Sequence, residues 1–137
     1  YQASTFAGNP ISVTAAINSI KTINRIKNKL YAKLERNCEL LVDEIGDLAT
    51  DHKIPHQINS IASMFQIFFS SKPVTNYNTS KNADGKKFNK LFSNLLKNGV
   101  FIAPSQFESV FLSDAHTDAD ITKTLGAYGL SLKAVKH

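Results

Sequence analysis

From Pro10 to Ala49 the apolar residues return every three or four positions, the period of an amphipathic helix. Val13, Ile17, Ile20 and Ile23 form a first series, and Leu30, Leu34, Cys38, Leu41, Ile45 and Leu48 a second. The wider step between them falls at Asn24 to Asn28, where two helix-neutral asparagines flank Arg25, Ile26 and Lys27. The spacing predicts two consecutive helices, or one kinked helix, with the break there. Ahead of it, Asn9 can cap a helix and Pro10 fits its first position. The preceding Ser4-Thr5-Phe6-Ala7-Gly8 offers free N–H groups and a Thr hydroxyl, which suit an anion such as a phosphate. A solvated hydroxyl at Thr5 is an equally good reading. At the far end, Gly46 weakens the helix modestly and His52-Lys53-Ile54-Pro55 stops it.

Beyond Pro55 the period changes. Gln57 to Ile61 and the aromatic, β-branched Met64 to Phe69 read as strands, with Ala62-Ser63 a bend or bulge between them. Lys72 to Gly85 is polar and rich in Asn, a long surface loop. Lys86 to Asn98 is an amphipathic helix on Phe88, Leu91, Phe92, Leu95 and Leu96, closed by Gly99. Val100 to Ala103 reads as a buried strand ending at Pro104, and Ser109 to Ser113 as another. Thr117 caps a last helix with Asp118 and Asp120 in its first turn; Ile121, Leu125, Tyr128, Leu132 and Val135 form its apolar face. The order α-α-β-β-α-β-β-α implies an α+β layer, a small and mostly antiparallel sheet covered by helices. The first helix is longer than such a layer needs, which suits a bridge to another domain.

Composition removes several classes of function. The chain has 137 residues, 42% of them hydrophobic, enough for one domain with a core. No apolar run approaches the roughly 20 residues of a membrane span, and no signal peptide is visible at the N-terminus; a cytoplasmic location is expected. Cys38 is the single cysteine, which excludes an intrachain disulfide and a cysteine-cluster metal site. Its apolar helical position predicts a buried, inert thiol. The formal net charge is +5, yet Arg occurs only at 25 and 36 and the lysines are scattered over several helices. That pattern fits solvated faces; a basic interaction module binding nucleic acid is the competing reading, and it requires a contiguous positive face.

Catalytic material is thin. The sequence holds no Gly-rich phosphate loop, no paired-histidine metal motif and no nucleophile elbow. His52 and His56 flank Pro55, which rules out one continuous metal-binding helix face. His116 precedes the Thr117 cap and suits a structural hydrogen bond. His137 ends the chain. Two segments remain as candidates. One is the opening decapeptide with Thr5. The other is Ala103-Pro104-Ser105-Gln106-Phe107-Glu108, where Glu108 alone reads as an exposed turn glutamate.

Those two segments, with Ala115-His116-Thr117-Asp118-Ala119-Asp120-Ile121, resemble the C-terminal third of the glutamate-1-semialdehyde 2,1-aminomutase family. That family lies in the class III aminotransferase group of fold-type I pyridoxal phosphate enzymes. The resemblance runs across the whole chain. It also takes in Tyr1-Gln2-Ala3, Gly8-Asn9-Pro10, Ser63-Met64-Phe65, Pro73-Val74, Asn76-Tyr77, Asp84 and Gly99-Val100. Thr5 with Gly8-Asn9-Pro10 is shared with class III aminotransferases generally, and another member of that group is the alternative. The 103–108 and 115–117 stretches point to the aminomutase.

The resemblance implies the C-terminal small domain of such an enzyme, from residue 27 to 137. Residues 1–26 would be the edge of the large domain and the interdomain helix. It implies that Thr5, and Ser4 where the family usually carries Gly, reach the phosphate of the cofactor in the neighbouring subunit of a homodimer. Glu108 would lie at the substrate end of the site as an orienting carboxylate. The cofactor would be pyridoxal or pyridoxamine 5'-phosphate. The reaction would convert glutamate 1-semialdehyde, a small molecule, to 5-aminolevulinate for tetrapyrrole synthesis, with no nucleic acid or membrane involved. No lysine here matches the one that anchors the cofactor, so that lysine and most of the pocket are expected upstream of Tyr1. This piece alone would then neither hold the cofactor nor be active.

Overall fold

A computed structural model describes residues 3–136; Tyr1, Gln2 and His137 fall outside the described residues, and with them the Tyr1-Gln2 part of the resemblance. The elements run α1 (Pro10–Asp51), β1 (Gln57–Ile61), β2 (Met64–Phe68), α2 (Tyr77–Lys81), α3 (Gly85–Lys97), β3 (Val110–Phe111) and α4 (Asp118–Val135).

The expected break at Asn24 to Asn28 is absent: α1 is one helix of 42 residues. Ile26 supplies the reason. It continues the exposed apolar series from Ile23 towards Leu30, so the stripe never loses its helical phase. Each Asn costs only about 0.7 kcal/mol relative to Ala, too little to open an intact hydrogen-bond ladder. Asn9 caps the start by accepting from the Ile11 and Ser12 amides at 3.0 and 3.3 Å, with Pro10 in the first position. The end closes before Pro55 is reached. Lys53 takes a positive φ of 56°, its amide donates to the Thr50 carbonyl and the Ile54 amide to that of Ala49.

Helix α1 has two unlike halves. From Pro10 to Arg36 no residue is buried, and Ile11, Val13, Ile17, Ile20, Ile23 and Ile26 all face solvent. From Asn37 onward the helix docks, burying Cys38, Leu41, Ile45 and Ala49. Lys33 makes the last link before the free half, its Nζ 2.9 Å from Asp114 Oδ1 and 2.8 Å from the Asp114 carbonyl.

The sheet is antiparallel in the order β1-β2-β3. Ile61 pairs with Met64, so Ala62-Ser63 is a two-residue hairpin turn, with Ala62 at a φ of 51°. Strand β2 is central and buried on both faces. Phe65 and Ile67, with Phe69 beyond them, enter the main core against α1, α3 and α4, while Phe68 packs with Val74 and Ala83 on the other side. Leu91, Leu95, Tyr128 and Leu132 complete the main core. The Cys38 thiol lies buried within it, donating to the Met64 carbonyl at 3.7 Å; burial first, and Glu39 second, push its pKa up.

Three further expectations change. The 72–85 loop contains a helical turn, α2, held by a capping box between Asn76 and Thr79. Val100 to Ala103 joins no ladder: Ile102 is buried while Phe101 is exposed. The last strand shrinks to Val110–Phe111, which pairs with Met64 and Phe65. The order is therefore α-β-β-α-α-β-α, still an α+β layer with helices on a small antiparallel sheet. Helix α4 begins as expected, with Thr117 and Asp120 forming a capping box.

Candidate functional site

The Ser4 to Gly8 segment folds as a tight turn just before α1. The Ala7 amide donates to the Ser4 carbonyl at 3.0 Å and the Asn9 amide to that of Phe6 at 3.1 Å. Gly8 permits the exit by adopting a φ of 77°, which side chains rarely take. The Ile11 and Ser12 amides at the helix end are already capped by Asn9. The open donors lie one step earlier: the amides of Thr5, Phe6 and Gly8 bond to nothing among the described residues, and both hydroxyls are exposed. Adjacent free amides and hydroxyls fit one side of a phosphate. The first basic residue along the chain is Lys21, so this turn offers an anion hydrogen bonds but no formal charge.

The second candidate lies in the body of the molecule. Pro104 to Glu108 forms a turn in which the Phe107 amide donates to Ser105 Oγ at 3.2 Å and the Glu108 amide to the Ser105 carbonyl at 3.1 Å. The Gln66 side-chain amide, on β2, donates to the Gln106 carbonyl at 2.9 Å. The Gln106 side-chain amide in turn donates to the Ser80 carbonyl at 3.2 Å. Phe107 packs against Tyr77 with ring centroids 5.7 Å apart, and Lys81 Nζ sits 5.6 Å from the Tyr77 centroid. The Glu108 carboxylate is exposed and has no hydrogen bond or ion pair among the described residues.

The structure does not bring Thr5 and Glu108 together. Thr5 lies at the end of the undocked half of α1, and Glu108 sits beside α2. Neither candidate forms a closed pocket. A cleft of about 90 Å³ lies elsewhere, between Phe101, Phe111 and the first turns of α4. Its His116 is occupied structurally, Nδ1 accepting from the Ser113 amide at 3.0 Å as the sequence led us to expect. His56 is likewise bound within its turn, Nδ1 lying 2.9 Å from the Ile54 carbonyl. No group of three metal-ligating side chains occurs among the described residues, and no described helix is long and apolar enough to cross a membrane. No described lysine is buried within this chain. The free amides and hydroxyls of the 4–8 turn have the chemistry to meet a phosphate such as that of pyridoxal phosphate. Sequence reasoning missed Gln66, whose only signal was an amide amid the apolar run 64–69.

The fold has close counterparts among solved structures. It superposes on an omega-transaminase from Sphaerobacter thermophilus with a TM-score of 0.79 at 16% identity, covering 100% of this chain and 31% of that one. A transaminase with PLP bound gives 0.77 at 18% identity, over 98% of this chain and 30% of the other. This is the fold of the C-terminal part of fold-type I transaminases. In sequence the chain is similar to glutamate-1-semialdehyde 2,1-aminomutase. It is 71% identical to that protein from Nitrosopumilus maritimus over 100% of its length, and 53% identical to aminomutase 1 from Cenarchaeum symbiosum over 99%. The chain spans about a third of these relatives, 32% of each, and corresponds to their C-terminal part. No protein-family model matches it.

Proposed function

We propose that this chain is the C-terminal part of a pyridoxal-phosphate-dependent glutamate-1-semialdehyde 2,1-aminomutase, which makes 5-aminolevulinate for tetrapyrrole synthesis in the cytoplasm. The 71% identity over all 137 residues carries this reading. The cofactor would supply the electron sink for moving the amino group. This chain's residues bind and orient. The Ser4 and Thr5 hydroxyls and the free amides of the turn donate to the phosphate of the neighbouring subunit's cofactor in a homodimer. The charge this turn lacks must come from the rest of the enzyme. Glu108 presents a fixed negative charge at the substrate end, favouring a cationic group and setting the direction in which the substrate lies. Residues 1–26 belong with the large domain and the interdomain helix, and 27–137 form the small domain. The chain alone, with no buried lysine among its described residues, is inactive.

The test is a donor-free assay. A full-length protein containing this segment should turn glutamate 1-semialdehyde into 5-aminolevulinate with no external amino donor. Turnover only when a donor is added would replace this reading with a conventional class III aminotransferase.

A further inference from the structure

We propose that Gln66 is a positioning residue: by holding the 103–108 turn to the central strand it sets the direction of the Glu108 carboxylate. The inference rests on the role proposed above for Glu108. Gln66 is only 6% exposed and lies on the face of β2 that also carries Phe68. Its Nε2 donates to the Gln106 carbonyl at 2.9 Å, two residues before Glu108. Its Oε1 is buried with no partner among the described residues. A half-satisfied buried amide is unfavourable where an apolar side chain would pack beside Phe68. What the amide provides in return is the single bond to the turn. Gln106 extends the chain of bonds. Its own amide reaches the Ser80 carbonyl at 3.2 Å, and its Oε1 would lie 3.5 Å from a Cβ at Gly85, so it spans from the end of α2 to the start of α3. Phe107 and Tyr77 then close the other side. The turn carrying Glu108 is thus tied to β2 and α2, although Glu108 touches neither by its side chain.

The experiment has two arms. In the isotope-labelled 137-residue chain, Gln66→Leu should lower backbone order parameters at Phe107 and Glu108 from about 0.85 to below about 0.6, with Leu91 and Leu132 unchanged. Unchanged values at 107 and 108 overturn the proposal. Should Gln66→Leu not fold, Gln66→Met, closer in length and shape, removes the same donor to the Gln106 carbonyl and is read in the same way. In the full-length enzyme, Gln66→Leu should raise KM for the semialdehyde about tenfold with kcat nearly constant, as Glu108→Gln does. A raised KM in Glu108→Gln but not in Gln66→Leu overturns the positioning role and leaves the proposed function standing. An unmodified enzyme without aminomutase turnover overturns the proposed function, and the order parameters alone then decide the role of Gln66.

Discussion

Lys53 and Gly99 do the same job at the ends of two helices, at different conformational cost. Both sit at positive φ, 56° and 79°, with the next amide folding back onto a carbonyl five residues earlier. Gly99 was legible in the sequence because glycine takes this conformation freely. Lys53 was not: Pro55 was the visible stop, and nothing in a lysine announces a left-handed backbone. Lys53→Gly should stabilise the chain by about 1 kcal/mol and Gly99→Ala should destabilise it by about as much, both read from urea midpoints. The Thr117 side chain and then its backbone amide hydrogen-bond to the Asp120 carboxylate and hold its pKa below the ordinary value. A lowered folded pKa adds stability above the ordinary value, which is lost as pH falls through the lowered one. Thr117→Ala should therefore lose less stability than the unmodified chain between about pH 5 and about pH 2, followed by urea titration. Equal losses would show that the cap does not couple to protonation.

At the scale of elements, local pattern and tertiary pairing parted company. Helices α3 and α4 followed from periodicity, because each buries a face whose spacing is written in its own residues; β1 and β2 followed from aromatic and β-branched content, and the Ala62-Ser63 link read as a bend or bulge is their hairpin turn. The 100–103 segment did not become a strand, since apolar content signals burial and not a hydrogen-bonding neighbour. Helix α2 hid inside a polar loop because its capping box uses Asn76 and Thr79, residues that also make turns. In α1, a counted gap concealed a continuous stripe through Ile26. The docked half, Asn37 to Ala49, is held by core packing, while the free half has its own ladder, the Asn9 cap and, at its inner end, the Lys33 link to Asp114. Amide exchange should reflect this, with protection at Leu41 and Ile45 exceeding that at Ile17 and Ile20 by orders of magnitude. Similar protection in both halves would mean that the free half is packed against something in solution.

At the scale of the molecule, that free half exposes a row of aliphatic side chains that a finished surface rarely leaves bare. The chain by itself should self-associate, its sedimentation coefficient rising with concentration; a strict monomer at every concentration would count against it. The candidate site was legible only in pieces. Thr5 and Glu108 each stood out, but their separation is a property of the assembled fold and has no trace in either segment.

Because α1 holds neither glycine nor proline between Ile11 and Ile45, it works as a ruler with a fixed phase. About 40 Å of helix lies between Pro10 and the first buried turn at Asn37. Removing one residue from the stretch 27–36 would draw the Ser4–Thr5 turn in by about 1.5 Å and swing it about 100° around the axis. Reach would scarcely change, but the donors would point away from the phosphate proposed for them. In this stretch the number of residues matters more than their identity.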